Sequence, residues 1–176
     1  AAAPLGLSPV LLLRTASGQR ADLPTPPTGN VLLDLLAGAT IHTCDPDGYK
    51  ERETRMERIA QALRDTGSTP YIIPEGGSNA LGSMGYIRAI DELTEQWGDV
   101  PPSSIVVATG SGGTLAGIAM GVQRLGLSTR ILGLAVCDDS ETFQARVLEI
   151  SVEAHERYGA PLLSHEDFQV IDEYKG

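Results

Sequence analysis

The stretch IVVATGSGGTLAGIAMG, residues 105–121, constrains this chain more than any other. Four apolar residues (105–108) come first. Four glycines then fall within eight positions, Gly110, Gly112, Gly113 and Gly117, and apolar residues follow at helical spacing. The apolar run reads as a buried strand and the later spacing as a helix. A strand that turns on glycine directly into a helix aims backbone N–H groups at one point, and the helix dipole adds roughly half a positive charge there. Such a turn is an anion site, best suited to phosphate. Ser111 and Thr114 add hydroxyl donors, and no Lys or Arg lies in the loop.

Spacing separates the known phosphate motifs. A P-loop needs G-x-x-x-x-G-K-[ST], and the absence of lysine here excludes that ATPase pattern. The dinucleotide fingerprint needs G-x-G-x-x-G. Gly110 and Gly112 fit it, but Leu115 stands at the third glycine position. Asp138 follows the next apolar run at a distance suited to gripping a ribose, so a nicotinamide- or flavin-binding Rossmann domain stays open as an alternative. A tight strand-to-helix turn without a ligand is the plainest alternative.

The rest of the chain alternates apolar β-rich runs with amphipathic helical ones. Strands are expected at 10–13, 39–44, 70–74, 105–108, 131–137 and 168–171. Helices are expected at 31–37, closed by Gly38, and after the DPDGYK turn (45–50), with Met56, Ile59, Ala60 and Leu63 on one face. EGGSNALGSMG (75–85) is a second glycine-rich loop. It enters a helix expected to bury Tyr86, Ile90, Leu93 and Trp97, with Ile87 and Thr94 widening the stripe. A last helix, capped by Ser140, carries Phe143, Val147, Ile150 and Ala154. This alternation argues for parallel sheets with helices on both faces, and ligands in such sheets bind beyond the C-terminal strand ends. Both glycine loops follow strands and fall at that end.

Composition narrows the partners. Of 176 residues, 41% are hydrophobic and 20% charged, as in an ordinary globular protein. The net charge of −10 argues against nucleic acid and anionic membrane as partners. No apolar run reaches the ~18 residues of a membrane span. Cys44 and Cys137 have no metal-like spacing, and no histidine pair among His42, His155 and His165 has it either, so no metal site is expected. Two isolated cysteines point to a reduced, cytoplasmic setting. Each reads as a small buried hydrophobe. His42 reads as a packed or edge strand residue, and His155 and His165 as surface. Asp138 and Asp139 read as solvated helix-start acids.

ATGSGGTLAG (108–117) resembles the phosphate cup of pyridoxal-phosphate enzymes of the tryptophan-synthase-β type. YIIPEGGSNALGSMGYIRAIDEL (71–93) is more specific and looks like D-cysteine desulfhydrase and its relative 1-aminocyclopropane-1-carboxylate deaminase, the GGSNALG wording leaning to the former. NVLLDLLAGA (30–39) and AVCDD (135–139) also fit, so the resemblance covers nearly the whole chain. It implies an α/β fold of doubly wound, mostly parallel sheets, fold type II, incomplete at both ends. Residues 1–76 would be part of the small α/β domain and 77–176 part of the large cofactor-binding domain. By motif match, Thr109, Gly110, Ser111, Gly112, Gly113 and Thr114 would hold the phosphate of pyridoxal 5′-phosphate. Gly77, Ser78 and Asn79 would face cofactor or substrate in the cleft. The implied reaction is β-elimination of D-cysteine to pyruvate, ammonia and hydrogen sulfide. A deaminase variant would open a cyclopropane ring. A small amino-acid substrate and a homodimer are implied for the intact enzyme.

Family chemistry needs a Schiff-base lysine in a GGNK-type segment and a substrate-contacting serine in a QSNH-type segment. Neither segment occurs here. The two lysines are Lys50, in a polar turn, and Lys175, beside the chain end, and neither pattern suits catalysis. The family's active-site tyrosine loop and pyridine-nitrogen partner are also not seen. The expectation is a segment from the middle of a lyase, inactive alone, with exposed apolar faces and low stability. A remnant that only retains a phosphate cup is the non-enzymatic alternative.

Overall fold

The computed structural model describes residues 2–174, so Lys175 lies outside the described residues. The chain divides into two units, Ala1–Ile72 and Ile73–Gly176.

In the first unit, β1 (Val10–Arg14) pairs in parallel with β2 (Thr40–Cys44), Val10 opposite Thr40 and Arg14 opposite Cys44. Parallel neighbours require a crossover, which contains α1 (Gly29–Leu36). Asp45 then caps α2 (Pro46–Lys50), its Oδ1 accepting from the Gly48 N–H at 2.7 Å. The expected turn at 45–50 is therefore a short capped helix. On α3 (Arg52–Asp65) the anticipated stripe faces inward: Ala60 is buried and Met56, Ile59 and Leu63 are half-buried. The core is small. Ile41, Cys44 and Ala60 are its fully buried apolar residues among those described, and β1 is only half-buried. Leu33 and Leu36 of α1 are exposed.

Residues 70–74 form no strand, against expectation. Pro70 and Pro74 cannot donate to a ladder, no neighbouring strand pairs with the segment, and Tyr71 and Ile73 face solvent.

The second unit is a three-stranded parallel sheet in the order β3 (Ser104–Thr109), β4 (Arg130–Ala135), β5 (Gln169–Ile171). Its helices are α4 (Ala80–Trp97), α5 (Gly113–Leu125) and α6 (Ser140–Tyr158). Ser104 stands opposite Arg130, and Thr109 opposite Ala135. Period-two alternation turns Ile105 and Val107 into the same core as Ile131, with Ile87 and Ile90 from α4, Leu115 to Val122 from α5, and Phe143, Val147, Ile150 and Ala154 from α6. On the opposite side of β3, Val106 and Ala108 are exposed, so the helical cover expected on both faces is missing there.

The α4–α5 contact depends on glycine. A Cβ at Gly117 would lie 2.4 Å from the Ser83 carbonyl oxygen, and one at Gly121 would lie 2.8 Å from Ile90 Cγ1. Gly117 is thus a helix-contact residue and not part of the turn. This close approach also resets the buried face of α4, which is Ala80, Ser83, Ile87 and Ile90. Tyr86 was expected inside but is 43% exposed. Its Cβ borders the contact, and little room is left there for a ring.

Candidate functional site

β3 delivers the chain to Thr109, which is buried and donates its hydroxyl to the Val107 carbonyl at 3.2 Å. Gly110 to Gly112 then turn the backbone. Gly112 is the N-cap of α5 with φ +87°, a left-handed conformation that favours glycine. It has no side chain with which to cap the helix, so the turn presents backbone polarity in place of a capping oxygen. The mouth is formed by exposed Gly110 and half-buried Ser111 and Thr114; Gly112 and Gly113 are buried beneath. These residues suit a phosphate group: small, hydroxyl-bearing at the mouth, and at a helix N-terminus.

The second glycine loop meets the first. Residues Glu75–Gly77 form a 3₁₀ turn, and Asn79 caps α4, its Oδ1 accepting from the Gly82 N–H at 2.8 Å. Between them, Ser78 is buried, and its Oγ lies 2.7 Å from Ser111 Oγ and accepts the Gly113 N–H at 3.1 Å. A Cβ on Gly113 would fall 2.7 Å from Ser78 Oγ, so only glycine permits this approach. The structure therefore brings Ser78 to Ser111 and Gly113. Ser78 and Asn79 engage loop and helix backbone there.

α6 adds a residue that motif reading missed. Arg146 donates from Nη2 to the Ser78 carbonyl at 3.3 Å, and its Cγ lies 3.3 Å from the place a Gly112 Cβ would take. The loop carries no basic residue of its own; the Arg146 stem packs against Gly112, while its guanidinium reaches the Ser78 carbonyl and pairs with Glu149 at 3.3 Å. The only sequence trace of this is position: Arg146 is one turn after Phe143 on the helix following the next strand. Glu153 on the same helix accepts from the Ala80 N–H at 3.3 Å, at the start of α4.

β4 ends at Ala135, two residues earlier than anticipated, so Cys137 is exposed and not buried. Its thiol donates to the Gly110 carbonyl at 3.7 Å, on the rim of the turn. Partial burial, followed by the charge of Asp138 and that of Glu75, pushes this thiol above its usual range. Asp139, not Ser140, caps α6, with Oδ1 accepting from the Thr142 N–H at 2.7 Å. Ser140 instead donates its N–H to Asp172 at 2.8 Å. Asp138 is exposed.

The remaining candidates are dispersed. Lys50 is exposed and pairs with Asp47 at 2.8 Å; that hydrogen bond and charge raise its ammonium above the ordinary range. His42 and His165 are exposed, and His155 Nδ1 lies 2.8 Å from the Ala160 carbonyl. Among the described residues, no three His, Cys, Asp or Glu side chains group to hold a metal, and no helix is long and apolar enough to cross a membrane. A crevice of about 750 Å³ lies at the other end of the sheet, against Thr129, Arg130 and Phe168, and no cup residue lines it.

Fold and site together define an α/β protein with a glycine-rich turn into a helix N-terminus at the C-terminal end of a parallel strand. The family described as "Pyridoxal-phosphate dependent enzyme" matches residues 1–176, and the chain belongs to that family. A Thermotoga maritima protein provisionally named a 1-aminocyclopropane-1-carboxylate deaminase is 37% identical over 173 residues, covering 97% of this chain and 52% of its own length. A D-cysteine desulfhydrase from Klebsiella pneumoniae is 38% identical over 136 residues, covering 77% of this chain and 40% of its own. The crystal structure of an ACC deaminase homologue superposes with a TM-score of 0.79 at 34% identity, covering 96% of this chain and 49% of that one. The chain thus spans about half the length of the curated relatives it matches. The fold is that of the type II pyridoxal-phosphate enzymes. Family membership removes the support for a dinucleotide domain. So does Leu115, which fills the third fingerprint position and is accommodated by Gly133 of β4, where a Cβ would lie 2.5 Å from Leu115 Cδ2.

Proposed function

We propose that this chain is the cofactor-phosphate-binding segment of a pyridoxal-phosphate-dependent lyase that eliminates thiolate from D-cysteine. The observation that carries the reading is the meeting of the two glycine loops, Ser78 with Ser111 and Gly113, around a helix N-terminus in a family whose cofactor bears a phosphate. Gly110, Ser111, Gly112 and Thr114 would hold that phosphate by backbone N–H groups and two hydroxyls. Gly113 shapes the turn, and Thr109 lines it from beneath. Gly77 and its neighbours Ser78 and Asn79 form the second wall. Residues 1–76 would contribute to the small domain of the intact enzyme and 77–176 to the large one.

When bound, the cofactor supplies an electron sink for the pair left at the substrate α-carbon. This chain's residues would hold and orient its phosphate through backbone N–H groups and hydroxyl donors. No lysine among those described is fit to act as nucleophile or base, because Lys50 is exposed and held protonated by Asp47. Among the described residues we therefore assign none to catalysis. Loss of the α-proton and thiolate, then hydrolysis to pyruvate and ammonia, belongs to the whole protein. The family resemblance further implies a homodimer, and two isolated cysteines fit a reducing, cytoplasmic setting.

The second reading is cyclopropane opening of 1-aminocyclopropane-1-carboxylate, favoured by the names of the Thermotoga protein and of the superposed structure. The GGSNALG loop favours D-cysteine. The test is to read the DNA flanking this segment and assay the product of the complete frame on both amino acids. Pyruvate with sulfide from D-cysteine supports the first reading. Turnover of the cyclopropane amino acid alone supports the second, and turnover of neither refutes both.

A further inference from the structure

We propose that Ser78 is a positioning residue that aims the Ser111 hydroxyl into the phosphate cup. The inference rests on residues 110–114 being that cup. Ser78 is 3% exposed, so the protein itself must satisfy its hydroxyl. A hydroxyl has one proton and two lone pairs. The Gly113 N–H only donates, and it takes one lone pair of Ser78 Oγ at 3.1 Å. The Ser78 proton is then given to Ser111 Oγ at 2.7 Å. That leaves Ser111 an acceptor toward Ser78, with its own proton directed elsewhere.

The surroundings leave one direction open. Gly76 closes one side: a Cβ there would lie 2.5 Å from Ser111 Oγ. Ser78 occupies the buried side. The half-buried Ser111 hydroxyl therefore points its proton to the mouth, where an anionic oxygen would accept it. Ser78 is itself fixed at several points. Its carbonyl accepts from Arg146 at 3.3 Å, the next residue caps α4, and Gly113 presents no Cβ to displace it. The second glycine loop thus sets the donor direction of the first before any ligand arrives, which lowers the cost of ordering a hydroxyl on binding.

The test is a double-mutant cycle of Ser78→Ala and Ser111→Ala on the 176-residue chain. The affinities of pyridoxal 5′-phosphate and of inorganic phosphate are measured by calorimetry, with the melting temperature of each variant. Ser78→Ala should weaken both ligands about tenfold, as expected for one lost hydrogen bond of about 1.4 kcal/mol. In the Ser111→Ala background the same change should alter neither by more than about twofold, because Ser78 acts through Ser111. An undiminished affinity, a loss confined to pyridoxal 5′-phosphate, or an equal loss in both backgrounds overturns the proposal. Should Ser78→Ala not fold, Ser78→Cys, with its weaker donor, is run through the same cycle and must show the same dependence on Ser111. If the unsubstituted chain binds neither ligand, the cup reading itself fails, a result distinct from binding that ignores Ser78.

Discussion

Gly117→Ala sets two opposing effects against each other in α5. Helix propensity favours alanine over glycine by about 1 kcal/mol. The contact with α4 opposes it: the new Cβ would lie 2.4 Å from the Ser83 carbonyl oxygen and 2.5 Å from Tyr86 Cβ. Both are rigidly placed atoms, so the helices must separate. Overpacking of this kind costs about 1–3 kcal/mol, and backbone contact places it at the upper end. The net loss is then roughly 1–2 kcal/mol, which lowers the melting temperature of a unit of about a hundred residues by roughly 5–10 °C. Gly85→Ala is the control, since Gly85 lies in α4 and its Cβ would meet nothing within 4 Å. It should raise the melting temperature by a few degrees through propensity alone. The assay is thermal unfolding followed by circular dichroism at 222 nm. A Gly117→Ala protein that melts at or above the parent temperature would refute the packing argument.

Asn79→Ala should cost about 1 kcal/mol by removing the cap of α4, while Asn79→Asp keeps the acceptor and most of the stability; urea unfolding measures both. Asp22 is held below its usual range first by the Ser17 N–H and then by the Ser17 hydroxyl. Its folded pKa is thus lower than its unfolded one, so its contribution is present above about pH 4 and lost as pH falls further. Acid unfolding of Asp22→Asn should show a weaker pH dependence below pH 4 than the parent, and identical curves would contradict the assignment. Cys137 is exposed, yet its thiol is pushed up, so at pH 8 it should react with iodoacetamide more slowly than a free thiol of ordinary pKa. A faster rate would count against the charge of Asp138 beside it.

Periodicity was enough to read most elements, because α4, α5 and α6 each bury a face in the core of the second unit. Phe143, Val147, Ile150 and Ala154 lie on α6 as their spacing required. The glycine turn was equally legible, since strand, turn and helix are contiguous. What failed depended on partners distant in the chain. The face of α4 shifted from Tyr86 towards Ala80 and Ser83 because Gly117 and Gly121, over thirty positions on, let α5 come close. The segment 70–74 had the composition of a strand but no neighbour to pair with. Cys137 looked buried by continuity with β4, and the ladder ended two residues sooner. Arg146 and the inward turn of Ser78 arise from packing of α6 and the second loop on the first, which no local pattern encodes.

The central claim is that residues 110–114 recognise the cofactor by its phosphate. Calorimetric titration of the chain with pyridoxal 5′-phosphate and, separately, with pyridoxal tests it most directly. The account predicts saturable binding of the phosphorylated form, competed by inorganic phosphate, with pyridoxal at least tenfold weaker. Equal affinity for the two, or no binding of either, would contradict it.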